Sequence, residues 1–214
     1  MPGWPDVVAE GLSNLLLCTV CFRSAVRTFQ ISRGAAAGFL LQALVPLVEM
    51  VTLIPIPLGL GLEPPKSPLL PEEGAWVSTV VGLPLLAFGF HWLNGDCSTA
   101  NTLLGGALLL AGGWHYFTEE GQAMVSHSAT AVASITILII SVFTGNACGV
   151  AGSLLVGTAG LLAGTKLQHL LILEKKDALR CLMAAANLAL RWALQTQQQE
   201  LDRGCGGLFT ALSD

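Results

Sequence analysis

Four groups of residues in this chain could do chemistry. His91 stands five positions before Asp96 in "FHWLNGDCS", a spacing at which a carboxylate can orient an imidazole as base or ligand. His115, Glu119, Glu120 and His127 gather in "HYFTEEGQAMVSH", side chains of the kind that hold a divalent metal. Glu49 follows Gln42 by seven residues in "LLQALVPLVEMVTL", so a helix carries both on nearly one face, and Pro46 between them frees a backbone carbonyl. Cys18 and Cys21 form a C-x-x-C in "LLLCTVCF".

Each group also has a plainer reading. His91 and Trp92 suit the last turn of an apolar helix at headgroup depth, while Asn94, Gly95 and Asp96 suit a turn, with Asp96 or Ser98 capping the next helix. None of the four histidines stands three or four residues from another, so no helix offers paired ligands on one face. His91 and His115 close successive predicted helices and fall about 30 Å apart if those helices are antiparallel. His115 and His127 share one side, where the acidic turn between them reads equally as a solvated loop. The C-x-x-C has no second pair or nearby histidine, and six scattered cysteines do not make a disulfide framework. Nucleophile elbows, phosphate loops and dinucleotide fingerprints are missing, so no catalytic residue, metal or cofactor is assigned. Glu49 keeps its interest because an intramembrane carboxylate is costly and marks a pathway, a partner or a hydrogen bond to a neighbouring helix.

The elements that would position these groups follow from composition. Of 214 residues 53% are hydrophobic and 11% charged, against about a quarter charged in soluble domains, and mean hydropathy is +0.66. One soluble core of this size cannot hide so much apolar surface. Continuous apolar runs at 8–29, 34–58, 75–94, 98–117, 124–144 and 148–171 predict an all-α, polytopic transmembrane bundle of about six spans over residues 1–172, with a proline-rich loop at 59–73. The first run is the weakest, being interrupted by Glu10, Arg23 and Arg27. It follows an acidic start without a basic leader and is expected to be retained.

Residues 173–201 place Leu179, Leu182, Met183, Ala186, Leu190 and Leu194 opposite Arg180, Asn187 and Arg191. This is an amphipathic helix, on the membrane or against the bundle; a seventh span would carry those polar groups into hydrocarbon. Residues 202–214 read as a flexible tail, with Cys205 a candidate acylation site. Gly34/Gly38, Gly145/Gly149 and Gly160/Gly164 are spaced to let helices approach closely. The stretch 101–113 echoes 152–164, a candidate repeat of hairpins. Two basic clusters, Arg23/Arg27/Arg33 and Lys166/Lys175/Lys176/Arg180, are separated by five predicted spans, so charge cannot favour one side at both. The larger, C-terminal cluster is taken as cytosolic, with both termini on that side.

At "SRGAAAGFLLQ", "GAWVSTVVGLPLLAFGFHWLNGD" and "TILIISVFTGN" the chain resembles the transmembrane protein 276 family of vertebrate multi-pass membrane proteins. The resemblance runs from about Ser32 to the amphipathic helix. It implies an integral membrane location and carries no activity, substrate or catalytic residue.

A formal net charge of -4 leaves no basic surface for nucleic acid. The expected role is structural or accessory, in an endomembrane such as the endoplasmic reticulum, with membrane lipids, other membrane proteins or a second copy as partners. The rival is a small-solute transporter or channel using Glu49 in a proline-broken helix, and a further alternative is an enzyme acting on lipid.

Overall fold

Polar residues close the apolar runs and start the helices that follow. The Asp96 carboxylate accepts the Thr99 N–H at 3.1 Å, Thr118 Oγ1 accepts the Gly121 N–H at 3.3 Å, and Asn146 Oδ1 accepts the Gly149 N–H at 3.1 Å. Three helices therefore begin on side-chain caps that satisfy otherwise orphaned donors. Gly95 and Gly145, with φ of 79° and 67°, supply the left-handed residue in two of these turns.

The computed structural model describes residues 4–53, 74–165, 169–170 and 173–211; the predicted proline-rich loop at 59–73 lies outside the described residues. Seven helices are present among them: α1 (Trp4–Thr28), α2 (Arg33–Leu53), α3 (Gly74–Leu93), α4 (Cys97–Gly112), α5 (Glu119–Phe143), α6 (Ala147–Gly164) and α7 (Lys175–Ala211). A π-helical stretch, Ser78–Gly82, widens α3, and a two-residue antiparallel pairing of His169–Leu170 with Leu173–Glu174 links α6 to α7. The chain is an all-α polytopic bundle. By length and composition α2, α3, α5 and α6 can cross a membrane, whereas α4 is apolar but has 16 residues.

Contacts along the helices give their directions. Asp177 meets Ser13 and Asn187 meets Cys21, so α7 runs parallel to α1. Asn187 also meets Gln42, and Arg180 meets Glu49, so α7 runs antiparallel to α2. Of the two positions expected for the C-terminal helix, the structure shows the one against the bundle. It lies between α1, α2 and α6 with Ala186, Leu190, Ala193 and Leu194 fully buried. As described, α7 runs on to Ala211, through most of the stretch expected as a tail.

The amphipathicity of α1 is inside out. Ser13, Asn14, Ser24 and Thr28 are buried, while Leu12, Leu15, Leu16, Phe22 and Val26 are exposed. In water this would turn the cost of both faces against folding; in lipid it places the apolar face outward and the polar face in the bundle. The uncharged polar residues of the run are thus compatible with a helix embedded beside its neighbours, whereas Arg23 and Arg27 are exposed.

Glycines let the helices meet. A Cβ on Gly38 would lie 2.7 Å from the Gly82 carbonyl oxygen, and one on Gly34 would lie 2.5 Å from the Phe88 ring, so both fix the α2–α3 crossing. Gly160 admits Thr130, Gly164 faces His127 at 3.3 Å, and Gly149 admits Ser141. Gly145 departs from its expected part as a packing residue. It sits in the α5–α6 turn with open space around it, and its positive φ is what that position requires.

Candidate functional site

The inward polar residues of α1 do not stand alone, because α2 and α7 bring theirs to the same seam. At one end Arg180 donates through Nη1 to Asp177 at 2.9 Å and to Ser13 Oγ at 3.5 Å, and through Nη2 to Glu49 at 2.5 Å. Glu10 lies 3.5 Å from the same Nη2, and Ser13 donates to Asp177 at 2.7 Å. Three carboxylates thus surround one guanidinium, whose fork of donors suits this arrangement. Asp177 lies in the first turn of α7, where the helix dipole favours a negative charge.

Beside this cluster opens a cavity of about 170 Å³, lined in part by Asn14, Gln42, Glu49, Ser78, Thr79 and Arg180. It lies where Pro46 interrupts the α2 hydrogen-bond ladder and the π-helical stretch widens α3. Glu49 follows Gln42 by two turns along α2, on the face that meets α7.

Deeper along the seam, Asn187 donates through Nδ2 to Gln42 Oε1 at 2.7 Å and to Cys21 Sγ at 3.1 Å. Beyond it come Ser24 and, at the other end, a second cavity of about 530 Å³ lined by Val26, Arg27, Gln30, Ile31, Gln195, Gln198 and Gln199. From Asn14 to Arg27 along α1 is about 20 Å at 1.5 Å per residue, most of a bilayer core. Among the described residues, both side-chain polar atoms of Asn14 and of Gln197, Gln42 Nε2, Asn187 Oδ1 and Ser24 Oγ are buried without a protein partner. Natural proteins seldom leave such groups unpaired, since each costs roughly 1–3 kcal/mol.

The other predicted groups are placed apart from this seam. His91 Nδ1 and Asp96 Oδ2 do meet, at 3.2 Å, with the ring almost fully buried and its Nε2 without a protein partner among the described residues. Asp96 is exposed in the α3–α4 turn; its hydrogen bonds with Thr99, and then its contact with His91, hold its carboxyl below the usual carboxylate range. His115 lies tilted against the Trp114 ring, Glu119 and Glu120 occupy the exposed first turn of α5, and His127 faces α6. Among the described residues no group of three or more His, Cys, Asp or Glu side chains could hold a metal ion, so these four do not converge. Cys21 belongs to the seam, and Cys18 is half-buried on the same helix.

Sequence reading had Gln42 and Glu49 on one face but gave no role to Ser13, Asn14 or Asp177. Their signal is the recurrence of small polar residues at 13, 14, 21, 24 and 28 within an apolar run, a helical period of polarity.

A groove of about 660 Å³ lies between α5 and α6. Thr130, Ser134, Ser153 and Thr158 line it, and each hydroxyl donates to a carbonyl of its own helix, leaving an apolar wall.

Comparison with known proteins places the chain. No family model matches it, and no solved structure matches it. Transmembrane protein 276 of Bos taurus is 44% identical over 194 residues, covering 89% of this chain and 93% of that protein. Transmembrane protein 276 of Homo sapiens is 45% identical over 190 residues, with the same coverage of 89% and 93%, and that of Mus musculus is 43% identical, covering 87% and 92%. Each alignment runs over most of both chains, and the chain, an integral membrane protein, belongs to the transmembrane protein 276 family.

Proposed function

We propose that this membrane protein carries a small polar solute along the α1–α2–α7 seam. The observation that supports the reading is the set of buried, unpartnered amide atoms on Asn14, Gln42 and Asn187, beside the cavity that Asn14 and Gln42 line. Paired amides glue membrane helices together, but an amide atom left unpaired in the bundle is a cost that a purely structural role does not need. Intramembrane polar residues facing the bundle interior are what a solute path requires. The glycine faces that favour an accessory role in the sequence are largely taken up within the bundle, Gly34 and Gly38 against α3 and Gly149 and Gly160 against α5.

A second reading keeps the accessory role for α4. Only Ala100 and Ala107 of that helix are buried, and Gly105, Gly106 and Gly112 have open space around them, a small-residue face suited to another membrane protein or a second copy. Membrane lipids are partners in either reading, with the apolar α5–α6 groove as a seat for acyl chains. Four helices with the length and composition to cross a membrane fit an endomembrane such as the endoplasmic reticulum.

Flux assays on proteoliposomes test the transport reading. Wild-type protein is expected to release trapped small polar solutes faster than protein-free vesicles, and the double substitution Gln42→Leu/Asn187→Leu is expected to abolish that release. Equal release with and without protein, over neutral, cationic and anionic solutes, overturns it.

A further inference from the structure

We infer that the end of α1 and the adjoining part of α7 bind the phosphate-bearing headgroup of an anionic membrane lipid through Arg23, Arg27 and Arg191. The inference stands apart from the solute path, because these residues lie on partly open surface at the end of the bundle away from Glu49.

The register of the two parallel helices brings the arginines together. Asn187 meets Cys21, so Arg191, one turn further along α7, stands level with residue 25 of α1, between Arg23 and Arg27. Both α1 arginines are near enough for their charge to act against that of Arg191. Among the described residues no carboxylate is within ion-pair distance of any of the three. Arg191 Nε is buried with no hydrogen-bond partner among them, and the guanidinium carbon lies 5.8 Å from the centroid of the Trp192 ring. An anion with several acceptor oxygens relieves this repulsion, and the planar forks of arginine match phosphate oxygens in pairs.

The cavity of about 530 Å³ supplies the second, independent observation. Arg27 belongs to it as well as to the cluster, with Gln30 beside it and Gln195, Gln198 and Gln199 lining the α7 side. Gln198 gives an N–H to Asp202 at 3.1 Å, and the amide hydrogens of the other glutamines suit phosphate oxygens and the hydroxyls of a headgroup. The surroundings select a lipid as the source of the phosphate. Arg27 is in the last turn of α1, the exposed side chains of Phe22 and Val26 flank the α1 arginines, and exposed Trp192 follows Arg191. Such residues carry acyl chains alongside while arginines hold the headgroup. With a formal net charge of -4 the chain as a whole repels an anionic lipid, so preference for one needs a local site.

Competition binding isolates the claim. Radiolabelled phosphatidylglycerol is bound to the immobilised full chain in non-ionic detergent micelles and displaced with unlabelled phosphatidylglycerol, phosphatidylcholine of the same acyl chains, or inorganic phosphate. Phosphatidylcholine and inorganic phosphate are each expected to need at least tenfold more than phosphatidylglycerol for half displacement. The triple variant Arg23→Gln/Arg27→Gln/Arg191→Gln is expected to lower the affinity tenfold or more. Arg27→Gln alone, at an exposed position that folding tolerates, is expected to lower it several-fold, while Lys176→Gln, an exposed charge near the start of α7, stays within twofold. No saturable binding, or phosphatidylcholine competing as well as phosphatidylglycerol, overturns the headgroup assignment. Inorganic phosphate competing as well as the lipid overturns the lipid as its source. Arginine variants that bind like the wild type, or an equal loss in Lys176→Gln, overturn the site.

Discussion

Replacing Gln42 and Asn187 by leucine, singly and together, separates what the polar seam does for stability from what it does for function. In the wild type Asn187 Nδ2 reaches Gln42 Oε1 at 2.7 Å, while Gln42 Nε2 and Asn187 Oδ1 have no protein partner among the described residues. Gln42→Leu leaves Asn187 Nδ2 with the weak acceptor Cys21 Sγ. Asn187→Leu leaves the Gln42 oxygen without its Asn187 donor. Interhelical hydrogen bonds in membranes average about 0.6 kcal/mol, and an abandoned buried group costs about 1–3 kcal/mol, so each single change should destabilise by about 1–2 kcal/mol. The double change removes the bond together with two atoms that were already unpaired. It should fall within about 0.5 kcal/mol of wild type, giving a coupling of about 2 kcal/mol. Equilibrium unfolding in mixed micelles by added sodium dodecyl sulfate reads all four proteins. A double variant destabilised by the sum of the two singles refutes the reasoning, because the pair would then serve the fold in its own right.

Two further outcomes follow from the packing and the caps. Gly38→Ala pushes a methyl to 2.7 Å from a backbone carbonyl that cannot rotate away, so it should cost about 1–3 kcal/mol in the same unfolding assay, whereas Gly105→Ala meets nothing within 4 Å and should be neutral or gain up to about 1 kcal/mol. Asp96, in the exposed α3–α4 turn, has its carboxyl held below the usual range by Thr99 and His91, while in an unfolded chain it titrates near 3.9. Its contribution to the cap is therefore full above about pH 4 and is lost as pH falls through the lower folded midpoint. Carbon NMR titration of the Asp96 carboxyl should give that lower midpoint, and a midpoint at or above 3.9 removes the cap from the account.

Local chemistry was readable from the chain wherever neighbours in sequence are neighbours in space. Asp96 capping α4, the glycine turn at 95, and the shared face of Gln42 and Glu49 all depend on separations of a few residues, within one turn or one helix. The partners of that face were not readable as partners. Arg180 and Asn187 lie 131 and 145 residues from Glu49 and Gln42, and no periodicity within α2 or α7 says which helices adjoin. The same polar residues of α7, weighed against lipid in the sequence, meet the polar residues of α1 and α2 in the structure, and α7 is not among the four helices with the length and composition to cross a membrane. In the first run the positions at 13, 14, 21, 24 and 28 form one inward face that was not read as a pattern, while Arg23 and Arg27 lie exposed outside it. Gly145 and Gly149 show the limit of spacing: four residues apart, one makes a turn and the other a packing contact.

The central claim is that the α1–α2–α7 seam is reached by water while the opposite face of α1 lies in lipid. Asn14→Cys and Leu16→Cys, each in a cysteine-free background reconstituted into liposomes, test it with a small, charged, water-soluble thiol reagent. Asn14 is 0% exposed in the bundle and Leu16 is 47% exposed, so simple exposure ranks Leu16 as the more reactive position. A polar path within a membrane predicts the reverse, with modification of the thiol at position 14 and none at position 16. Modification at 16 with none at 14 would contradict the account.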